Sequence, residues 1–221
     1  MTKPFRIGFL LYPHVTQLDM TGPAQVLAAM SGAELHFVWK NLSPVKTDAT
    51  LQILPTDTFA SCPALDMLCV PGGPGQQILM QDPEVLPWLA RQRAQAKWVA
   101  SVCTGSLLLG AAGLLKGYRA ASHWAYREHL PLFGATVDEA RVSRDRNRIT
   151  GGGVTAGIDF GLEVVSAVRG ETEAKEIQLF LEYAPQPPFD FGRPEKAGPE
   201  LVKHVKQRLN AAVAKLSGPT L

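Results

Sequence analysis

The residues best suited to chemistry lie in Ser101-Val102-Cys103-Thr104-Gly105-Ser106. An apolar run from Trp98 to Val102 delivers one cysteine to a turn of small residues. The chain then opens straight into a second apolar run, Leu107 to Ala112. A strand that ends in a nucleophile and bends sharply into a helix is how α/β enzymes expose a reactive side chain. The first N–H groups of such a helix lack intrahelical acceptors and face the sulfur, so the spacing predicts a stabilised Cys103 thiolate. The competing account of a strand-end cysteine is a small buried hydrophobe. Thr104, Gly105 and Ser106 weigh against it, because they permit a tight elbow and supply a helix cap. Cys69, inside an apolar strand pattern, and Cys62, before Pro63, are expected to be structural.

Two groups compete to move protons for Cys103. Asp19 follows Gln17-Leu18 and precedes Met20-Thr21-Gly22-Pro23, in the connection after the first strand pattern. Its ordinary role there is a helix cap. A carboxylate crowded against a thiolate in a partly dry cleft would instead hold its proton more tightly and serve as general acid and base. His123 follows another short strand pattern, and a histidine beside a cysteine is a common activated-thiol arrangement; packing against Trp124 is its structural alternative. Gly72-Gly73 and Gly151-Gly152-Gly153 do not continue into a dinucleotide or P-loop motif. Gly72 and Gly73 are expected to present backbone N–H groups toward Cys103 and stabilise negative charge. The Gly151 cluster is expected to let the following helix pack closely on the nucleophile helix. No Cys or His spacing suggests a metal site.

The positioning elements follow from periodicity. Strand patterns cover Phe5 to Leu11, Glu34 to Lys40, Asp66 to Val70 and Trp98 to Val102, with a short hairpin near Leu51 to Leu54. Helix patterns run from Ala24 to Met30 (Pro23 in the first turn), Pro83 to Ala96, Thr104 onward, Ala125 to Leu130, Thr155 to Val168, Thr172 to Tyr183 and Pro199 to Lys215. Short strands joined by the polar turn Arg144-Asp145-Arg146-Asn147 fill residues 136–150. This alternation predicts an α/β fold, a mostly parallel sheet with helices on both faces. Active sites in that architecture form at strand carboxyl ends, where Asp19, Gly72-Gly73 and Cys103 all fall. Residues 1–221 are expected to form one domain, with 185–221 an extension packed on it. Its Pro-rich start, 185–198, is expected to be a packed surface connection near a subunit contact.

With 221 residues and 46% hydrophobic side chains, the chain can bury one substantial core. Twenty-two basic residues against 20 acidic ones argue against nucleic acid or a membrane surface as the main partner. Three scattered cysteines suit a reducing, cytoplasmic compartment better than a disulfide scaffold. The N-terminus reads as a strand rather than a signal segment.

Pro71-Gly72-Gly73, Ser101 to Ser106 and Gly151-Gly152-Gly153-Val154-Thr155-Ala156-Gly157-Ile158-Asp159-Phe160 together resemble the DJ-1/PfpI superfamily, over residues 5 to about 184. Gln17 to Pro23, Thr104, His123-Trp124-Ala125-Tyr126 and Leu181 to Pro185 are similar to its isocyanide-hydrating subgroup. The resemblance implies a flavodoxin-like, class I glutamine-amidotransferase-like fold and a homodimer without metal or organic cofactor. It also implies a hydro-lyase that converts an isocyanide to an N-substituted formamide. Carried over by residue, Cys103 is the nucleophile, Asp19 the essential acid and Thr104 the hydroxyl supporting them; His123 falls to a secondary pocket role. The mechanism it suggests passes through a cysteine thioimidate. The superfamily also includes glyoxalase-like and amide-hydrolysing enzymes and redox or stress proteins, which are the alternatives. Regulators with a similar domain carry a helix-turn-helix module, for which the stretch after Ala184 is too short.

Overall fold

The structure is a computed structural model and describes residues 3–217. In chain order the elements begin β1 (Phe5–Leu10), α1 (Gln17–Ala28), β2 (Ala33–Trp39), β3 (Val45–Lys46), β4 (Gln52–Ile53), β5 (Asp57–Thr58) and β6 (Met67–Val70). Next come α2 (Gln76–Leu79), α3 (Val85–Gln95), β7 (Trp98–Val102), α4 (Gly105–Ala111), β8 (Arg119–Ala120), a 3-10 helix (Arg127–Phe133), β9 (Thr136–Val137), β10 (Val142–Asp145) and β11 (Arg148–Gly151). The chain closes with α5 (Ala156–Arg169), α6 (Glu171–Phe180), α7 (Pro194–Ala197) and α8 (Pro199–Ser217).

Seven strands form the central sheet in the order β10-β11-β7-β6-β1-β2-β5. All neighbours are parallel except β10, which folds back antiparallel on β11. β6 and β7 are buried along their whole length, as expected of strands covered on both faces. One layer pairs α1 with α5; α2, α3 and α4 cover the other side of β6 and β7. The fold is flavodoxin-like, with Ile7, Phe9, Leu68, Val99, Leu108, Ile149 and Phe160 fully buried in its core.

Several local expectations are corrected. α1 begins at Gln17, so Asp19 is a residue of its first turn rather than of a loop. Pro23 lies inside the helix, where it cannot donate to the carbonyl four residues back. The helix survives because it is packed: a Cβ at Gly157 of α5 would sit 2.9 Å from the Pro23 ring. α3 starts after Pro83 because the Asp82 carboxylate accepts the Glu84 and Val85 N–H groups at 2.9 and 3.0 Å and caps it there. The helix expected near Ala125 is a 3-10 turn that starts at Arg127 and contains Pro131, which cannot donate. α5 packs on α1 rather than on α4, the helix after Cys103; Gly157 and Gly161 face Pro23 and Val26. The 185–198 stretch is a surface connection but not a packed one, since Phe189 and Phe191 are 74% and 59% exposed. Its prolines remove backbone donors, and Glu195 ties its end to Arg127 at 3.8 Å. The extension that follows is tied back by Lys206 to Glu128 (2.7 Å) and by the Tyr126 hydroxyl donating to Asn210 Oδ1 (3.3 Å).

Candidate active site

The sheet order places a switch point between β1 and β6. From β1 the chain moves outward to β2 and β5, then returns to the other side of β1 for β6 and continues to β7. Connections that leave adjacent parallel strands in opposite directions open a crevice at their carboxyl ends. The first turn of α1 brings Asp19 to it, the turn after β6 brings Gly72 and Gly73, and the end of β7 brings Cys103.

Cys103 has a left-handed backbone, φ 58°, which costs a residue with a Cβ about 1–3 kcal/mol. Four hydrogen bonds hold it there. Its N–H donates to the carbonyls of Gly151 (3.1 Å) and Gly152 (2.8 Å). Its carbonyl accepts the hydroxyls of Ser106 (3.1 Å) and Ser122 (3.0 Å). The elbow is therefore over-determined from β11, α4 and the segment before the 3-10 helix.

Asp19 is fully buried. Its Oδ2 accepts the Gly72 N–H at 2.9 Å, while Oδ1 meets no donor at hydrogen-bond geometry among the described residues. Burial pushes its pKa from 3.8 to about 7; the hydrogen bonds from Cys103 and Gly72 pull against that rise. The Cys103 thiol is itself pushed well above its ordinary value, first by burial and then by the Asp19 charge. This corrects the expected low-pKa thiolate. The Thr104 N–H and hydroxyl favour the sulfur's anion, but dehydration and the neighbouring carboxylate outweigh them. Each group thus resists ionising beside the other: Asp19 gives up its proton at about 7 and Cys103 only well above its ordinary value.

Gly72 and Gly73 line this pair, and both N–H groups are already committed. Gly72 donates to Asp19, and Gly73 donates to Thr104 Oγ1 at 3.1 Å. With these acceptors filled, neither N–H group faces an open oxyanion position. A Cβ on Gly72 would lie 2.6 Å from the Thr104 nitrogen and 2.8 Å from Asp19 Oδ2, so only glycine admits this approach.

The His123 ring makes no hydrogen bond to Asp19 or Cys103 among the described residues. Its Nδ1 accepts the Ala125 N–H at 3.2 Å, and burial lowers its pKa to about 4, so the ring is neutral. Its ring is 5.5 Å from that of Trp124 and 6.0 Å from that of Tyr126. Cys69 is fully buried, and burial raises Cys62 to about 12, which leaves Cys103 as the thiol set among polar partners. No group of three or more His, Cys, Asp or Glu side chains among the described residues could hold a metal ion.

The sequence profile of the DJ-1/PfpI family matches residues 5–167. The chain belongs to the DJ-1/PfpI family. Among its relatives, the isonitrile hydratase of Pseudomonas putida is 53% identical over 203 residues, which cover 92% of this chain and 89% of that protein. A crystal structure of a ThiJ/PfpI family protein from Pseudomonas syringae superposes with a TM-score of 0.88 at 46% identity, covering 97% of this chain and 92% of that one. The transcriptional regulator GbdR of Pseudomonas aeruginosa is 34% identical over 81% of this chain, which spans 51% of the regulator.

Within this family member, two supporting groups, Tyr12 and Ser122, escape a reading of the sequence. The Tyr12 hydroxyl donates to the Pro71 carbonyl at 2.9 Å, pinning the end of β1 to the glycine turn. Burial, then Asp19 and then Cys103, raise the Tyr12 pKa, so this phenol stays neutral. Ser106 and Ser122 grip the Cys103 carbonyl. A polar tip closing an apolar strand was the available signal for Tyr12; Ser122 carried none beyond its place next to His123.

Proposed function

We propose that this protein hydrates isocyanides to N-substituted formamides, with Cys103 as nucleophile and Asp19 as the group that moves protons. The observation that carries this reading is a buried carboxyl, Asp19, and a buried thiol, Cys103, at one switch-point crevice with both pKa values raised; in this reading the two share one proton. The similarity to the P. putida isonitrile hydratase supports the substrate class.

The terminal carbon of R–N≡C is unhindered and accepts both a nucleophile and a proton. With the shared proton on Asp19, the Cys103 sulfur forms a bond to that carbon and Asp19 delivers its proton there. The product is a thioimidate, R–N=CH–S–Cys103. The Asp19 carboxylate, now without its proton, takes one from water as the oxygen adds to the same carbon, and returns it to nitrogen. The hydroxyl proton of the resulting R–NH–CH(OH)–S–Cys103 passes to Asp19 as the carbon–sulfur bond breaks. R–NH–CHO leaves, and the pair regains its single proton. Thr104, donating through both N–H and hydroxyl, stabilises the sulfur when it carries the charge.

The test is formamide formation from a simple alkyl or aryl isocyanide by wild type and Cys103→Ala. Product from wild type alone supports the reading, and so does a covalent adduct of substrate mass on Cys103. Equal product from the folded variant sinks Cys103 as nucleophile. No product from reduced wild type, with loss of methylglyoxal instead, moves the assignment to glyoxalase-like chemistry. The proposal extends to a homodimer working in a reducing compartment. Exposed Leu179 and Phe180 beside a groove of about 650 Å³ between α1 and α6 support a contact surface there, which sedimentation of wild type and Phe180→Glu checks.

A further inference from the structure

At the end of the sheet remote from Cys103, four cations lie against two aromatic rings and a fifth acts on one of them. β7 and β11 run parallel and begin at Trp98 and Arg148, so this face lies at the opposite strand ends from the crevice. Lys97 Nζ and Arg144 Cζ are 6.0 and 5.4 Å from the centre of the Trp98 ring. Arg146 Cζ and Arg148 Cζ are 3.7 and 4.3 Å from the centre of the Tyr118 ring. Asn147 joins the two groups: it donates to the Lys97 carbonyl at 2.8 Å and accepts from Arg148 Nη1 at 2.9 Å. Arg93, in the last turn of α3, adds its field to that of Arg146 on the Arg148 guanidinium.

Few acids answer these charges. Asp145 pairs with Arg146 at 3.0 Å, and Asp138 with the neighbouring Arg119 at 3.6 Å. Asp66, near the same strand ends, turns its carboxylate to the Arg6 N–H. Among the described residues Arg93, Lys97, Arg144 and Arg148 have no carboxylate within ion-pair distance. Helix ends account for part of the arrangement. Arg148 Nε donates to the Leu114 carbonyl beyond α4 at 2.8 Å, and Arg93 reaches the Ala96 carbonyl beyond α3 at 3.5 Å. Two helix C-termini supply about half a negative charge each, so with Asp145 roughly three positive charges stay uncompensated. One of the five, Arg148, is only 3% exposed, where an unpaired guanidinium is costly to hold.

We propose that this face binds a small anion bearing more than one phosphoryl group. Guanidinium forks match phosphoryl oxygens in pairs, and several cations in one place favour a multivalent ligand over a single carboxylate. The chain's net charge is only +2, which suits a small molecule rather than a polymer that needs an extended basic track. The site is independent of the isocyanide chemistry proposed above.

Inorganic pyrophosphate is the probe, titrated calorimetrically at constant ionic strength into wild type, Arg144→Gln, Lys97→Gln and the double variant. Saturable binding is expected, weakened on the order of tenfold by each substitution and lost in the double variant. Arg144→Lys keeps the charge but loses the fork, so it should bind more weakly than wild type and more tightly than Arg144→Gln. Unchanged urea midpoints show that the variants are folded. Absence of saturable binding by wild type, or equal binding by the folded double variant, overturns the proposal and reduces the cluster to helix-end caps. Tighter binding of a short RNA or DNA duplex than of pyrophosphate overturns it in favour of a polymer.

Discussion

Replacing Asp19 with asparagine should stabilise the fold at neutral pH while stopping catalysis. Burial disfavours the Asp19 charge and pushes its pKa to about 7 in the folded chain, against an ordinary 3.8. Below about pH 4 both states are protonated and Asp19 carries no penalty. As pH rises toward 7 the unfolded chain releases this proton while the folded chain keeps it, so wild-type stability falls across that window. Above about pH 7 both states are ionised and the loss is complete. At 1.36 kcal/mol per pH unit the full penalty is about 4 kcal/mol as an upper bound. The amide does not titrate, and its oxygen can still accept the Gly72 N–H. The stability gap between Asp19→Asn and wild type should therefore grow from about pH 4 to about pH 7 and then level off. Urea unfolding of both proteins across that range measures it, with equal m-values as the control. Repeating the pair in a Cys103→Ala background removes a hydrogen bond that lowers the Asp19 pKa, so the window should extend to higher pH. A gap that does not change with pH would refute the claim that this carboxyl holds its proton because it is buried.

Other substitutions test the surrounding geometry. Gly72→Ala drives a Cβ against the Thr104 nitrogen and Asp19 Oδ2; it should cost about 1–3 kcal/mol in urea unfolding and depress turnover more than substrate binding. Thr104→Val leaves the Gly73 N–H without its acceptor and the sulfur without a hydroxyl donor; about 1–3 kcal/mol of stability and a slower thiol reaction with iodoacetamide are expected. His123→Asn should leave formamide formation within about tenfold and its pH profile unmoved between about pH 5 and 8, since the histidine is already neutral there. An abolished reaction in that folded variant would restore a Cys–His mechanism. Ser122→Ala removes one of two hydroxyls from the Cys103 carbonyl and should destabilise by about 1 kcal/mol, read as a shift in thermal midpoint.

Local chemistry made much of this protein legible. The Trp98–Val102 run, the small residues after Cys103 and the apolar run beyond them specify a strand, an elbow and a helix, because burial period and side-chain size act within a few residues. The alternation of such units gave the layered sheet and put Asp19, Gly72-Gly73 and Cys103 at one edge. Pro23 misled because a proline is read against its neighbours, while its place inside α1 depends on packing against Gly157, far along the chain. The thiol misled in the same way. A helix N-terminus is visible in sequence, but dehydration and a carboxylate from a distant segment decide where the proton resides. Likewise, the glycine N–H groups can be counted from the sequence, yet which acceptors they satisfy is settled only when β1, β6 and β7 lie side by side. Residue types and their spacing set which groups can react; tertiary structure alone sets their charge, because desolvation and proton sharing arise between segments that meet only in the folded chain.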